Sequence, residues 1–194
     1  IRLAPDRAVV RTWAQTTESF PDGITITNDL VVMSTCLLSA TSCTLWWFET
    51  PGADPTTSNA SLFAAVLTAL VSTPPGVTYA RGTNLVRVGA DHLPLPGFGV
   101  SGAIDLGARF LLAAGAPSTL VVQIADRVEL RSSATGAIIP SFGTAGVVTL
   151  PAATGRRWLA TDRAGAIVVA TVVSLPTPHV ELLPITATGT IGAP

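Results

Sequence analysis

The feature that most constrains this chain is its punctuation. Short runs rich in Val, Ile, Leu and Thr are broken again and again by Gly, Pro, Asp and Ser. Such runs are strands bounded by turns, because branched side chains fit a pleated surface and the small or cyclic residues supply turn dihedrals. The pattern predicts strands over 8–16, 24–35, 41–49, 77–80, 85–88, 108–113, 119–125, 128–131, 137–139, 146–150, 158–161, 166–175 and 180–189. Turn chemistry agrees at Pro21-Asp22-Gly23, Ala134-Thr135-Gly136 and Asp162-Arg163-Ala164-Gly165. Many short strands with evenly spaced turns point to a sandwich or barrel rather than to βαβ units. One segment departs from this. Leu62, Phe63, Val66, Leu67 and Leu70 have helical spacing, with caps at Thr57–Asn59 and a stop at Pro74-Pro75-Gly76, so a helix is expected over 58–71. No internal repeat is legible, and the 194 residues read as one domain, with residues 1–18 as an N-terminal arm.

Composition narrows the function. Hydrophobic residues make up 48% of the chain and charged residues only 12%. That is about half the charge usual for a globular domain. The apolar runs are too short to span a bilayer as helices, and no membrane role is expected. Low charge with high apolar content is what chains with large buried contact surfaces show, so copies of the chain itself are the expected partner. All eleven basic residues are Arg, and the net charge is −1. The local basic excesses are Arg2, Arg7 and Arg11, then Arg156, Arg157 and Arg163; both are sparse, which limits any nucleic-acid contact to a weak one.

Chemistry-bearing motifs reduce to bland readings. Gly97-Phe98-Gly99-Val100-Ser101-Gly102 has dinucleotide-turn spacing, but Pro94 and Pro96 in its lead-in exclude the central strand that motif needs. His92 and His179 have no second cluster to complete a metal or acid–base site, and no Gly-x-Ser-x-Gly elbow occurs. Asp22, Asp54 and Asp91 are turn aspartates that would bind calcium only if gathered. Asn59-Ala60-Ser61 is a sequon of the kind that arises by chance. Cys36 and Cys43 lack the company a zinc site requires and read as buried thiols, with a disulfide across a hairpin as the alternative. No catalytic residue, metal ligand or cofactor is expected.

The stretch from Cys43 to Tyr79 carries a resemblance. The aromatic strand Thr44-Leu45-Trp46-Trp47-Phe48 runs into Pro51-Gly52-Ala53-Asp54-Pro55-Thr56, then the expected helix, then Val77-Thr78-Tyr79. This resembles the strand, Pro-Gly-x-x-Pro-Thr, helix, strand connection of jelly-roll coat proteins of small icosahedral RNA viruses, tymovirus-like and sobemovirus-like. The resemblance implies an all-β antiparallel sandwich of the viral jelly-roll type with one or two short helices. It implies a structural capsid subunit in the virion that self-assembles into a shell around a genome. Trp46, Trp47, Phe98, Phe142 and Trp158 are then the expected intersubunit contacts. Arg2, Arg7 and Arg11 are the expected contacts to genomic RNA, and Arg156 and Arg157 are candidates for charge pairing or for facing the genome. The alternative is a secreted or phage-borne adhesion or decoration module that binds carbohydrate or a host surface.

Overall fold

The structure, a computed structural model, describes residues 2–3, 9–11, 19–27, 30–37, 43–49, 67–74, 76–89, 91, 93–153, 155–162, 164–173 and 179–192, with backbone only before residue 69. Among these residues all regular structure is antiparallel β. β1 (Arg2–Leu3) pairs with β2 (Val9–Arg11), within the segment expected to be an arm. β3 (Ser19–Thr27), β4 (Leu30–Leu37) and β5 (Cys43–Glu49) form a three-stranded sheet. β6 (Leu67–Thr73), β7 (Gly76–Arg81), β8 (Asn84–Val88) and β9 (Ala103–Asp105) form a four-stranded one. A second four-stranded sheet follows with β10 (Phe110–Ala114), β11 (Thr119–Ile124), β12 (Arg127–Ser132) and β13 (Val147–Thr149). β14 (Arg157–Thr161), β15 (Ile167–Val173) and β16 (His179–Ile185) close the series, and Ile191 bridges back to Ile185.

One expectation changes. The helix expected over 58–71 gives way to strand where the description begins, because Leu67–Thr73 pairs with β7 in the register Leu70↔Tyr79 and Val71↔Thr78. Ala69 and Val71, two apart, pack on the apolar cluster of the next sheet, so a period of two overrides the helical spacing. Residues 58–66 lie outside the described residues. Strand order also bears on the jelly roll. In each described sheet every strand pairs with its neighbour in the chain, a meander, whereas a jelly roll interleaves strands remote in sequence.

The structure also holds a repeat that was not legible at first sight. From Pro94 and Ile138 onward, the β8–β9 and β12–β13 connections share a hydrogen-bond pattern at a spacing of forty-four, as from Phe98 to Phe142. Phe98 N–H donates to the Leu95 carbonyl at 3.2 Å, and Phe142 N–H to that of Ile139 at 3.3 Å. Val100 and Ala103 exchange both backbone hydrogen bonds, and Thr144 and Val147 do the same. Gly99 and Gly143 share φ of 54° and 55°, and a Cβ on either would collide with the carbonyl oxygen of Ala103 or Val147. Only glycine fits there. A spacing of about 40–45 residues with four strands per unit is that of propeller blades.

The units pack face to face. Ala80, Leu85 and Phe98 of the β6–β9 sheet meet Phe110, Leu112, Leu120, Val122 and Ile124 of the next. The far side of that sheet, with Ala113, Val121, Val128 and Phe142, meets Ile167, Val169 and Ile185 of the last. The β10–β13 sheet is therefore buried on both faces, and β11 reads as a near-continuous apolar run for that reason. The first strands lie side by side: β3 against β6, β6 against β10, β10 against β14. Each connecting loop also ties to the following unit, with Gly99 N–H on the Thr135 carbonyl at 3.1 Å and Gly143 N–H on that of Thr188 at 2.9 Å.

Candidate functional site

Two features of this stack are not accounted for by its own packing. The first is the outer face of the last sheet. Along β14 to β16 burial alternates, with Ile167, Val169 and Ile185 facing the core and Trp158, Ala160, Val168, Val180, Leu182 and Pro184 facing out. Register aligns these outward residues across the strands as Trp158↔Ala170↔Leu182 and Ala160↔Val168↔Pro184. Trp158 is 44% exposed, Leu182 55% and Val180 58%. A solvent-facing antiparallel strand ordinarily alternates apolar with polar residues, and here the outward set is apolar as well. The guanidinium of Arg156 lies 5.3 Å from the centre of the Trp158 ring, a cation–π contact.

The second feature is a cleft of about 570 Å³ at the hairpin ends of the β6–β9 and β10–β13 sheets. Ser72, Thr73 and Pro74 wall one side, and Ser118, Thr119 and Ser133 the other. Beside it sits Arg87 of β8, only 4% exposed. Its Nη2 donates to the Thr73 and Pro74 carbonyls, each at 3.2 Å, while Nε and Nη1 are buried without an acceptor. Burial lowers the Arg87 pKa from its ordinary value. Glu129, the buried carboxylate of the facing sheet, is already held by Arg127 at 2.9 Å and Arg131 at 2.6 Å.

The residues singled out from sequence scatter. Phe98 and Phe142 were expected at intersubunit contacts, but at 0% and 1% exposure they are the anchors of the two cores and offer no surface. The glycines that flank them made them look like loop residues; the loops fold inward to plug each sheet. Trp158 does stand on the open face. Trp46 and Trp47 fall on β5, where only backbone is described. Of the two roles expected for Arg157, charge pairing or facing a genome, the structure shows the pairing: its Nη1 donates to the Ala125 carbonyl at 2.8 Å and Asp126 Oδ1 at 2.7 Å, and its Nη2 to the Pro151 carbonyl. It staples the last sheet to the β11–β12 turn. Arg156 is engaged with Trp158. Arg2 and Arg11 face each other in the β1–β2 register; Arg7, Arg163 and His92 lie outside the described residues.

Cys36 and Cys43 are directly opposite in the β4–β5 register. The Gly97–Gly102 segment forms the β8–β9 connection, with no helix leading out of it. Arg87 was missed because a lone Arg in a strand carries no motif; the repeat would have exposed it, since the equivalent position in the next sheet is Leu130. Among the described residues no three His, Cys, Asp or Glu side chains gather as a metal site, and no helix is long and apolar enough to cross a membrane. No protein-family model matches the chain, and no curated protein matches it.

Proposed function

We propose that this chain is a non-catalytic assembly module, an open arc of propeller-like sheets that docks the outer face of its last sheet onto a sheet of a second copy. The observation that carries this is the apolar face around Trp158, Val180 and Leu182. The β6–β9 and β10–β13 sheets each have the corresponding face covered by the next sheet in the chain, and a face of this composition is a contact surface rather than a solvated one. A partner sheet would bury it in the same way. A closed shell enclosing a genome in a virion is the narrower form of this proposal. Its support from sequence came from the aromatic strand and the helix after it, and the meander order does not add to it.

The test is light scattering after size-exclusion chromatography, on the native chain and on a Trp158→Ser/Leu182→Ser double variant. Association of the native chain that the variant loses, with circular dichroism unchanged, is the expected result. A native chain that stays monomeric at about 100 μM would refute it, and closed particles in electron micrographs would extend it to the shell. One observation favours a second reading, an adhesion module for carbohydrate: the exposed Trp158 ring with Arg156 stacked on it is a platform on which a sugar ring can lie. A glycan screen with the Trp158→Ser variant as control separates the two.

A further inference from the structure

The chain has two cysteines, and the fold sets them opposite each other. Cys36 and Cys43 form the rung of the β4–β5 ladder nearest the connection between those strands, at the end of an unbroken register that starts at Leu30↔Glu49. β4 is also paired on its other edge, where Cys36 stands opposite Phe20 of β3. Its register is therefore fixed from both sides, and a slip by one residue would put the two cysteines on opposite faces. Directly opposite residues of an antiparallel pair have Cα atoms about 4.5 or 5.5 Å apart, according to whether they exchange hydrogen bonds. A disulfide spans about 4.4–6.8 Å between Cα atoms, so the backbone meets its requirement without moving.

The connection they flank supplies the second observation. Leu37-Leu38-Ser39-Ala40-Thr41-Ser42 contains no Gly, Pro, Asn or Asp, the strongest turn formers. Among the described sheets, every other connection between consecutive paired strands has at least one. Asn28-Asp29 follows β3, Pro74-Pro75 follows β6, Gly82 follows β7, and Asp126 follows β11. The hairpin that lacks them is the one that holds both cysteines. We propose that Cys36 and Cys43 form an intrachain disulfide that clasps the β4–β5 hairpin and ties the stability of the first three-stranded sheet to its redox state. The bond forms by thiol–disulfide exchange with a small-molecule disulfide of the glutathione class. One cysteine thiolate attacks that disulfide and displaces a thiolate; the second cysteine thiolate then attacks the mixed disulfide and displaces the other. The two cysteines lose two protons and two electrons, and one small disulfide is reduced to two thiols.

The experiment equilibrates the native chain with oxidised glutathione, unfolds it in urea with iodoacetamide present and reads the intact mass. An unalkylated monomer two hydrogens lighter than the reduced chain is the expected result. Two alkylated cysteines, a glutathione adduct or a dimer linked through cysteine would each overturn the proposal. Chymotryptic cleavage after Leu37 or Leu38 should leave fragments that part only on reduction. Dithiothreitol should lower the urea midpoint of the native chain by about 1 M, the size expected for opening a loop this short in the unfolded chain. Cys36→Ser, Cys43→Ser and the double variant should share that lowered midpoint and lose the response to dithiothreitol, because the same single bond is removed in each. Losses that add in the double variant, or a native midpoint that the reductant leaves unchanged, would mean two independent thiols and refute the clasp. Should a variant fail to fold, the mass of the native chain still decides.

Discussion

Replacing Phe98 and Phe142 by Ala, singly and together, tests the central structural claim that each loop plugs a separate core. Phe98 sits with Leu85, Leu120 and Ile124, and Phe142 with Val128, Val148 and Ile185; both are essentially inaccessible. A buried Phe side chain removes roughly 200 Å² from water, which at about 25 cal/mol per Å² gives about 5 kcal/mol, and measured Phe→Ala costs in cores run about 3–5 kcal/mol. Each single change should therefore cost about 4 kcal/mol. With a urea slope of about 2 kcal/mol per M, the midpoint falls by about 2 M. Because the two rings belong to different clusters, the double variant should lose the sum of the single losses to within about 0.5 kcal/mol. Stabilised fragments or added osmolyte keep the double variant measurable if its midpoint falls below zero denaturant. The assay is urea unfolding followed by circular dichroism. A single cost under about 1 kcal/mol would place that ring at a surface and refute the inward loop. A strongly non-additive double variant would mean one shared core and refute the separate stacking of sheets.

Two further predictions follow from polar groups. Arg157→Ala removes the bonds to Ala125, Asp126 and Pro151, and should cost about 1–2 kcal/mol in urea unfolding, the exposed Asp126 reducing the share of the ion pair; a stability unchanged while retention on immobilised RNA falls would instead restore its role as a genome contact. Tyr79, the only tyrosine, has its phenol pKa raised by burial, with Arg81 opposing in part. The neutral form is thus favoured in the folded state, so the contribution is fully present below the ordinary value of about 10 and is lost as pH rises above it, at up to about 1.4 kcal/mol per pH unit. Phenolate absorbance should therefore be missing from the folded protein at pH 11 and appear only with unfolding; a phenolate signal at pH 11 with the native dichroism intact would refute this.

Local structure was legible because strands and turns are written in adjacent residues. The runs at 108–113, 119–125, 128–131, 158–161 and 166–175 correspond to β10, β11, β12, β14 and β15 within a residue or two. Asp162 does cap its turn, accepting from the Ala164 and Ala166 N–H groups. Other joins were hidden by composition: 24–35 reads as one apolar run, yet it turns between Thr27 and Leu30, where Asn28-Asp29 is the only mark of a two-residue hairpin. The candidate site was less legible for a deeper reason. Low charge was read as a surface covered by other copies, and in the β10–β13 sheet, buried on both faces, part of that apolar composition is covered by the chain's own neighbouring sheets. The repeat itself survives in few identities, Pro96 and Pro140, Phe98 and Phe142, Gly99 and Gly143, Gly102 and Gly146, Leu106 and Leu150, because turns and plugs tolerate little change while strands accept any apolar residue. Once that spacing is known, departures from it become informative. A position where one unit has Leu130 and its sibling the buried Arg87 is one such departure, since the packing between sheets is satisfied by the leucine.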